Sequence, residues 1–367
     1  MRFGRSCILN SSALLIAVVF AYCFLPWVTV GVLDTTYIFA TEPGEQVSAV
    51  ALSGVAFLAL FYAGFRSDVG HATLPEPRGA PRRVLAASWR VTVAFSAGLL
   101  VWGIVSRLAL GAERTELLAN EHQALFPGLG ILLILALCHA VTTDRWNAWA
   151  TLAVLLVGID LVFLGKMFTY PVVASGLFRA DLKARRPSVR PAVVLFALGL
   201  LFVVATALGR GIASADQGGF SLYSVVSEFV GVFASVGWAQ NFAAGTRGFG
   251  DANAQLEVAY MGAVGHGLAI HPVAYFIGVA GDRWIPLLLL YCMGVLLILH
   301  VSRRIIGRDG TLLVTIVNLH HLMRHGPDIF VKNLIVQFVA VAIVFYVGKE
   351  ATFRHAHIIP GKGEARV

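Results

Sequence analysis

The 367-residue chain is 58% hydrophobic and 13% charged, with a mean hydropathy of +0.78. A soluble globular protein carries about 25% charged residues, so the composition excludes a soluble enzyme and points to a polytopic membrane protein. Net charge is +8, but its distribution along the chain says more than its sum, and no nucleic-acid partner is expected.

Repeated apolar runs of about 20 residues read as membrane-spanning helices. They are continuous rather than alternating, which excludes a β-barrel. Arg2 and Arg5 precede the first run, about 12–31, which reads as a retained span. A short loop with Asp34, Glu42 and Glu45 leads to span 2, about 47–65. The loop 66–90 holds Arg66, Arg78, Arg82, Arg83 and Arg90. Span 3 is about 91–110, followed by a loop with Glu113, Glu116 and Glu121. Span 4, about 126–142, turns at Thr143-Asp144-Arg145-Trp146 into span 5, about 148–165. Span 6, about 167–182, is short and enters the basic loop with Lys183, Arg185 and Arg186. Span 7 is about 192–208.

The stretch 209–283 is long but not simply polar. Ser221–Phe242 is apolar with Glu228 inside, and Leu256–Val279 is apolar but broken by Gly262, Gly265, Gly267 and His271-Pro272. Such interrupted segments suit re-entrant or amphipathic helices, or one extra hairpin of spans. Span 8, about 284–302, ends at Arg303-Arg304; span 9, about 311–323, ends at Arg324-His325; span 10 is about 329–348. The fold class expected is therefore an all-α integral membrane protein of about ten spans, or twelve with the hairpin. Residues 1–367 form a single transmembrane domain, with 209–283 a periplasmic loop between spans 7 and 8.

Lys and Arg bias sets the orientation. With the N-terminus in the cytoplasm, about 20 of the 28 Lys and Arg lie at the cytoplasmic face. The remainder are Arg107, Arg114, Lys166, Arg210, Arg247, Arg283, Arg324 and Lys332. Both termini are then cytoplasmic. Cys7, Cys23, Cys138 and Cys292 are scattered without a CxxC spacing, so neither a disulfide nor a cysteine metal site is expected.

Three outward-facing cations sit at span ends: Lys166, Arg210 and Arg324. Each alone reads as a snorkelling or helix-capping residue. Together they suit a diphosphate, since arginine grips phosphate in a bidentate fork and lysine acts as a point charge. Arg247 in the long loop and Tyr170 beside Lys166 complete that candidate set. Asp160 lies inside span 5, where an intramembrane acid is a functional candidate with Lys166 as its natural ion-pair partner. Glu228, in an apolar segment, suits proton transfer. His321 and His325 share a helix face next to His320, and His325 beside Arg324 is a candidate general base. A metal there would need further ligands, and no cysteine or carboxylate is suitably spaced, so neither a metal nor a cofactor is expected.

There is no P-loop, no HExxH and no GxSxG. The organisation resembles the Wzy-type polymerases of bacterial polysaccharide repeat units, relatives of the O-antigen ligases. Those have ten or more spans, a basic residue where a mid-chain span reaches the periplasm, a short span, a basic cytosolic loop, and an Arg opening a large periplasmic loop. Here Lys166, Lys183-Ala-Arg185-Arg186, Arg210 and the stretch 209–283 fill those places, and Arg324 matches a late periplasmic Arg. The resemblance implies a lipid-linked glycosyltransferase of the O-antigen or exopolysaccharide type. It moves a growing glycan from undecaprenyl diphosphate to the terminal sugar of a new lipid-linked repeat. Membrane lipids, a Wzz-type chain-length regulator and a Wzx-type flippase are the implied partners. An O-antigen ligase is the nearest alternative, then a secondary transporter or lipid-linked oligosaccharide flippase. A membrane acyltransferase is disfavoured, because His139 and His300 lack an evident acidic partner.

Overall fold

The computed structural model describes residues 9–26, 43–65, 79–110, 125–143, 146–163, 168–183, 190–213, 232–264 and 269–358. Among them every regular element is helical. In chain order they are α1 (Leu9–Cys23), α2 (Pro43–Phe65), α3 (Ala80–Leu110), α4 (Leu125–Thr142), α5 (Trp146–Val162), α6 (Thr169–Lys183), α7 (Arg190–Ala213), α8 (Phe249–Val264), α9 (Pro272–Ala280), α10 (Trp284–Arg324) and α11 (Pro327–Ile358). A π-helical turn, Ala239–Ala243, precedes α8, and a 3-10 turn, Gly281–Arg283, leads into α10.

Proline placement explains many of the starts. Pro43, Pro81, Pro127, Pro171, Pro191, Pro272, Pro286 and Pro327 all fall within the first turn of their helices. There the missing N–H costs nothing and the fixed φ favours helix. Four stretches are long and apolar enough to cross a membrane: Gln46–Phe65, Ala80–Ser106, Pro272–Arg324 and Pro327–Phe345. Asn10–Cys23, Gly130–Thr142 and Trp146–Val162 are shorter apolar helices. A membrane-embedded helical protein accounts for them.

The third of those stretches does not run straight. The Tyr291 hydroxyl donates to the Pro327 carbonyl at 3.1 Å. On a straight helix, rising 1.5 Å per residue, the two would lie about 50 Å apart. The chain therefore folds back inside α10, at Gly307, whose φ of +78° and ψ of 171° are non-helical. The halves 284–306 and 308–324 form an antiparallel hairpin. This agrees with the sequence division into spans 8 and 9, and only glycine takes that backbone conformation without strain.

Two short elements occupy the centre. In α6 the side chains from Val172 to Phe178 are buried except Val173, and Arg179 and Asp181 are buried too. In α10 every residue from Asp309 to His320 is buried. Around them, α3, α7, the first half of α10 and α11 turn large apolar side chains outward, among them Val101, Leu201, Leu297 and Val339. That is the inside-out pattern of a lipid-facing rim around a polar-spotted core. At 15 residues, α6 is about 22 Å long, short of the ~30 Å of a bilayer core, yet wrapped by α1, α4, α5, α7 and α10.

The charged residues of α6 close its neighbours' ends. Asp181 accepts from the Asn10 amide at 3.1 Å and its Nδ2 at 2.7 Å, and from the Ser11 amide at 2.8 Å and hydroxyl at 2.7 Å, capping the start of α1. Arg179 donates to the carbonyls of Ala140 at 2.5 Å and Thr143 at 2.7 Å, closing the end of α4, and its guanidinium lies 5.6 Å from the Trp146 ring centre. Between α10 and α11, the Asn318 and Gln337 amides pair reciprocally at 2.8 and 3.3 Å.

Asp181→Ala removes the acceptor from two buried amides. Each unsatisfied buried donor costs about 1–3 kcal/mol. The thermal midpoint in detergent should therefore fall markedly, and Asp181→Asn, which keeps one oxygen, should fall between the variant and wild type.

Candidate functional site

The end of α5, the start of α6 and the end of α10 meet at one end of the bundle. Asp160, buried near the end of α5, points its carboxylate at the α6 N-terminus. Its Oδ2 accepts from the Phe168 amide at 2.9 Å, the Thr169 amide at 2.6 Å and the Thr169 hydroxyl at 2.7 Å. It thus does for α6, from the preceding helix, what an N-cap residue does locally. Tyr170 follows at once. Its ring packs on that of His320, centroids 4.8 Å apart and tilted by 45°, and its hydroxyl is buried with no hydrogen-bond partner.

On the α10 side three imidazoles crowd together. His320 and His321 rings are 3.8 Å apart, and His321 and His325 rings 5.0 Å. The Nδ1 atoms of His321 and His325 face each other at 3.1 Å, so one of them carries a proton when they hydrogen-bond. His320 Nδ1 lies 3.2 Å from the Val317 carbonyl. Only a protonated Nδ1 can donate there, which leaves a lone pair on Nε2. That Nε2 is buried and has no hydrogen-bond partner.

Gly326 ends α10 with φ +107°. The amides of His325 and Gly326 both donate to the His321 carbonyl, at 2.9 and 3.0 Å. The segment 269–280 packs onto this turn: the Ile270 amide donates to the Arg324 carbonyl at 3.0 Å, and the Tyr275 hydroxyl to the His325 carbonyl at 2.7 Å. The same segment is held from below by His271. Its amide donates to Ser235 Oγ at 2.9 Å, and its Nδ1 accepts from the Val273 amide at 3.3 Å, capping α9. With Nδ1 accepting, Nε2 carries the proton and faces Cys23 Sγ at 3.6 Å.

Of the residues singled out in the sequence, Tyr170, Arg324 and His325 come to this end, with Asp160 fixing the turn that carries Tyr170. Arg210 lies in the last turn of α7, which continues to Ala213 rather than stopping at 208. Arg247 is exposed at the surface, one residue after Thr246, whose amide and hydroxyl both donate to the Gly278 carbonyl. Lys166 and Glu228 lie outside the described residues. So do the first part of the apolar segment, 221–231, and His266. The predicted interruption of Leu256–Val279 is present: α8 ends at Val264 and α9 restarts at Pro272. Sequence reasoning missed His320 as a site residue. Its adjacency to His321 was visible, but the partnerless Nε2 and the Tyr170 ring against it come from the packing of α6 on α10.

The chain matches no family model, and it has no significant match among curated proteins or solved structures.

A Cβ on Gly326 would overlap the Tyr275 ring, and its φ disfavours any L side chain. Gly326→Ala should cost about 2 kcal/mol or more and lower folded yield. Gly199→Ala, in α7 with nothing near its Cβ, should be neutral or stabilising by up to about 1 kcal/mol. Equal thermal midpoints for both variants in detergent would show that the turn is not constrained as described.

Proposed function

We propose that this protein is a lipid-linked glycosyltransferase that polymerises polysaccharide repeat units at the outer face of a bacterial inner membrane. The observation that carries the reading is the convergence of Tyr170, Arg324 and His325 at the end of the bundle where Asp160 fixes the start of α6. A cation, an imidazole able to take a proton, and a tyrosine ring that offers a face to a sugar are the elements such a transfer needs.

In this reading the donor glycan is attached through its anomeric carbon to undecaprenyl diphosphate. His325 takes the proton from the acceptor hydroxyl as that oxygen forms the new glycosidic bond. The bond from the anomeric carbon to the diphosphate oxygen breaks, and the diphosphate leaves with the electron pair. Arg324 offsets the developing charge, and Arg210 and Lys166 join it. Asp160 positions Tyr170 rather than moving protons, since one of its oxygens already accepts three hydrogen bonds. Glu228 is the second candidate base. Ten spans, both termini in the cytoplasm and 209–283 outside complete the proposal. The fold-back at Gly307 supports it, since spans 8 and 9 then leave Arg324 at the outer face.

Cells carrying Arg324→Ala or His325→Ala at matched protein level should show a shift from long polymer to single repeats. Loss of one charge-assisted contact, about 1.5–3 kcal/mol, corresponds to roughly a ten- to hundredfold slower transfer. Arg324→Lys should recover part of it. Wild-type polymer length in both Ala strains would overturn the site, and unattached long chains in the deletion strain would make the protein a ligase instead.

The orientation has its own test. A cysteine placed at Asp216 should react with an impermeant reagent added outside, and one at Arg186 should not. The reverse pattern would invert the topology.

A further inference from the structure

The three imidazoles at the end of α10 form a more complete constellation than a proton relay requires. One ring nitrogen from each of His320, His321 and His325 lies within 4.8 Å of those of the other two. The Nδ1 atoms of His321 and His325 are 3.1 Å apart. Two imidazole nitrogens bound at about 2.0–2.1 Å to one tetrahedral ion sit about 3.3 Å apart, so this pair is already near chelating separation. His320 meets the ring of His325 edge-on, at 84°, and so approaches from a different direction.

Protonation also favours a metal. His320 commits its Nδ1 proton to the Val317 carbonyl, the outer-shell bond typical of a metal-bound histidine. Its Nε2, the nitrogen with the lone pair, is buried without any hydrogen-bond partner. A buried acceptor left this way is costly unless something fills it. The neighbouring His271 is already spent as the α9 cap and against Cys23, so the site is these three residues.

We propose that His320, His321 and His325 bind one divalent ion of the zinc class, with the fourth coordination position open. An all-imidazole donor set suits Zn²⁺, Cu²⁺ or Ni²⁺ rather than Mg²⁺ or Ca²⁺. Three protein ligands with an open position is the arrangement of catalytic rather than structural zinc. The last turn of a helix favours a cation. Arg324 next to it opposes one, so the open position suits an anionic oxygen such as hydroxide or phosphate, which lowers the local charge. This departs from the sequence expectation that no metal binds here. That expectation assumed the site needed cysteine or carboxylate ligands; the packing supplies a third imidazole instead.

The test uses the full-length protein in detergent, stripped with a chelator and titrated with Co²⁺, whose ligand-field absorption reports a low-coordinate site. One Co²⁺ per chain is expected, displaced by Zn²⁺. His320→Ala and His321→Gln should each weaken binding at least about tenfold, the loss that an outer-shell change alone brings. His300→Ala, on the exposed face of α10, should leave binding unchanged. Helix content by far-UV circular dichroism checks each variant. Should one of them unfold, the wild-type titration and the remaining variant decide. Absence of Co²⁺ binding to the wild type, or unchanged binding in both histidine variants, would overturn the site. With an ion bound, the lone pair of His325 is committed to it and Glu228 is left as the base of the proposed transfer; the metal reading itself does not rest on glycan transfer, so a protein that binds Co²⁺ but makes no polymer would sink that proposal and leave this one standing.

Discussion

Helix ends inside a membrane protein are the constraint on which this structure depends. The first amides and last carbonyls of each helix have no partner within the helix, and away from water an unmet backbone group costs several kcal/mol. Here side chains from elsewhere in the chain meet them. Asp160 closes the start of α6, Asp181 the start of α1, and Arg179 the end of α4. His271 closes the start of α9 more locally, with its own ring. A central helix too short to reach both membrane surfaces thus becomes the piece that organises its neighbours.

That arrangement also places the site. The carboxylate of Asp160 sets the first turn of α6, and the next residue, Tyr170, lies against His320. The second half of α10 brings His320, His321, Arg324 and His325 to the same end because the chain has reversed at Gly307. The segment 269–280 covers the turn through hydrogen bonds to the Arg324 and His325 carbonyls. Chemistry and scaffold therefore share atoms: the backbone that closes the helix also presents the imidazoles.

Much of the scaffold was legible in the sequence, because apolar runs, prolines and charge bias act locally. The division of 284–324 into two spans was visible from Arg303-Arg304. The break before Pro272 was visible from the glycines. The roles of charged residues were not. Asp160 read as a functional candidate with Lys166 as its ion-pair partner, and its hydrogen bonds to the start of α6 were not visible, because a sequence shows that a charge is present but not which helix end it faces. His320 was hidden for the same reason: whether an imidazole nitrogen has a partner depends on packing between α6 and α10, about 150 residues apart in the chain.

The paired amides of Asn318 and Gln337 have a geometric consequence. Apolar helices sliding past one another in a lipid-like interior exchange one van der Waals contact for another of similar worth, so their relative height is weakly set. Two amides that satisfy each other do so at one height only. A shift of one residue would turn both away and leave their polar atoms stranded. Asn318 lies about two turns below His325 on the same helix. The amide pair therefore works as an alignment pin, fixing how far the imidazole-bearing end of α10 stands above the start of α11.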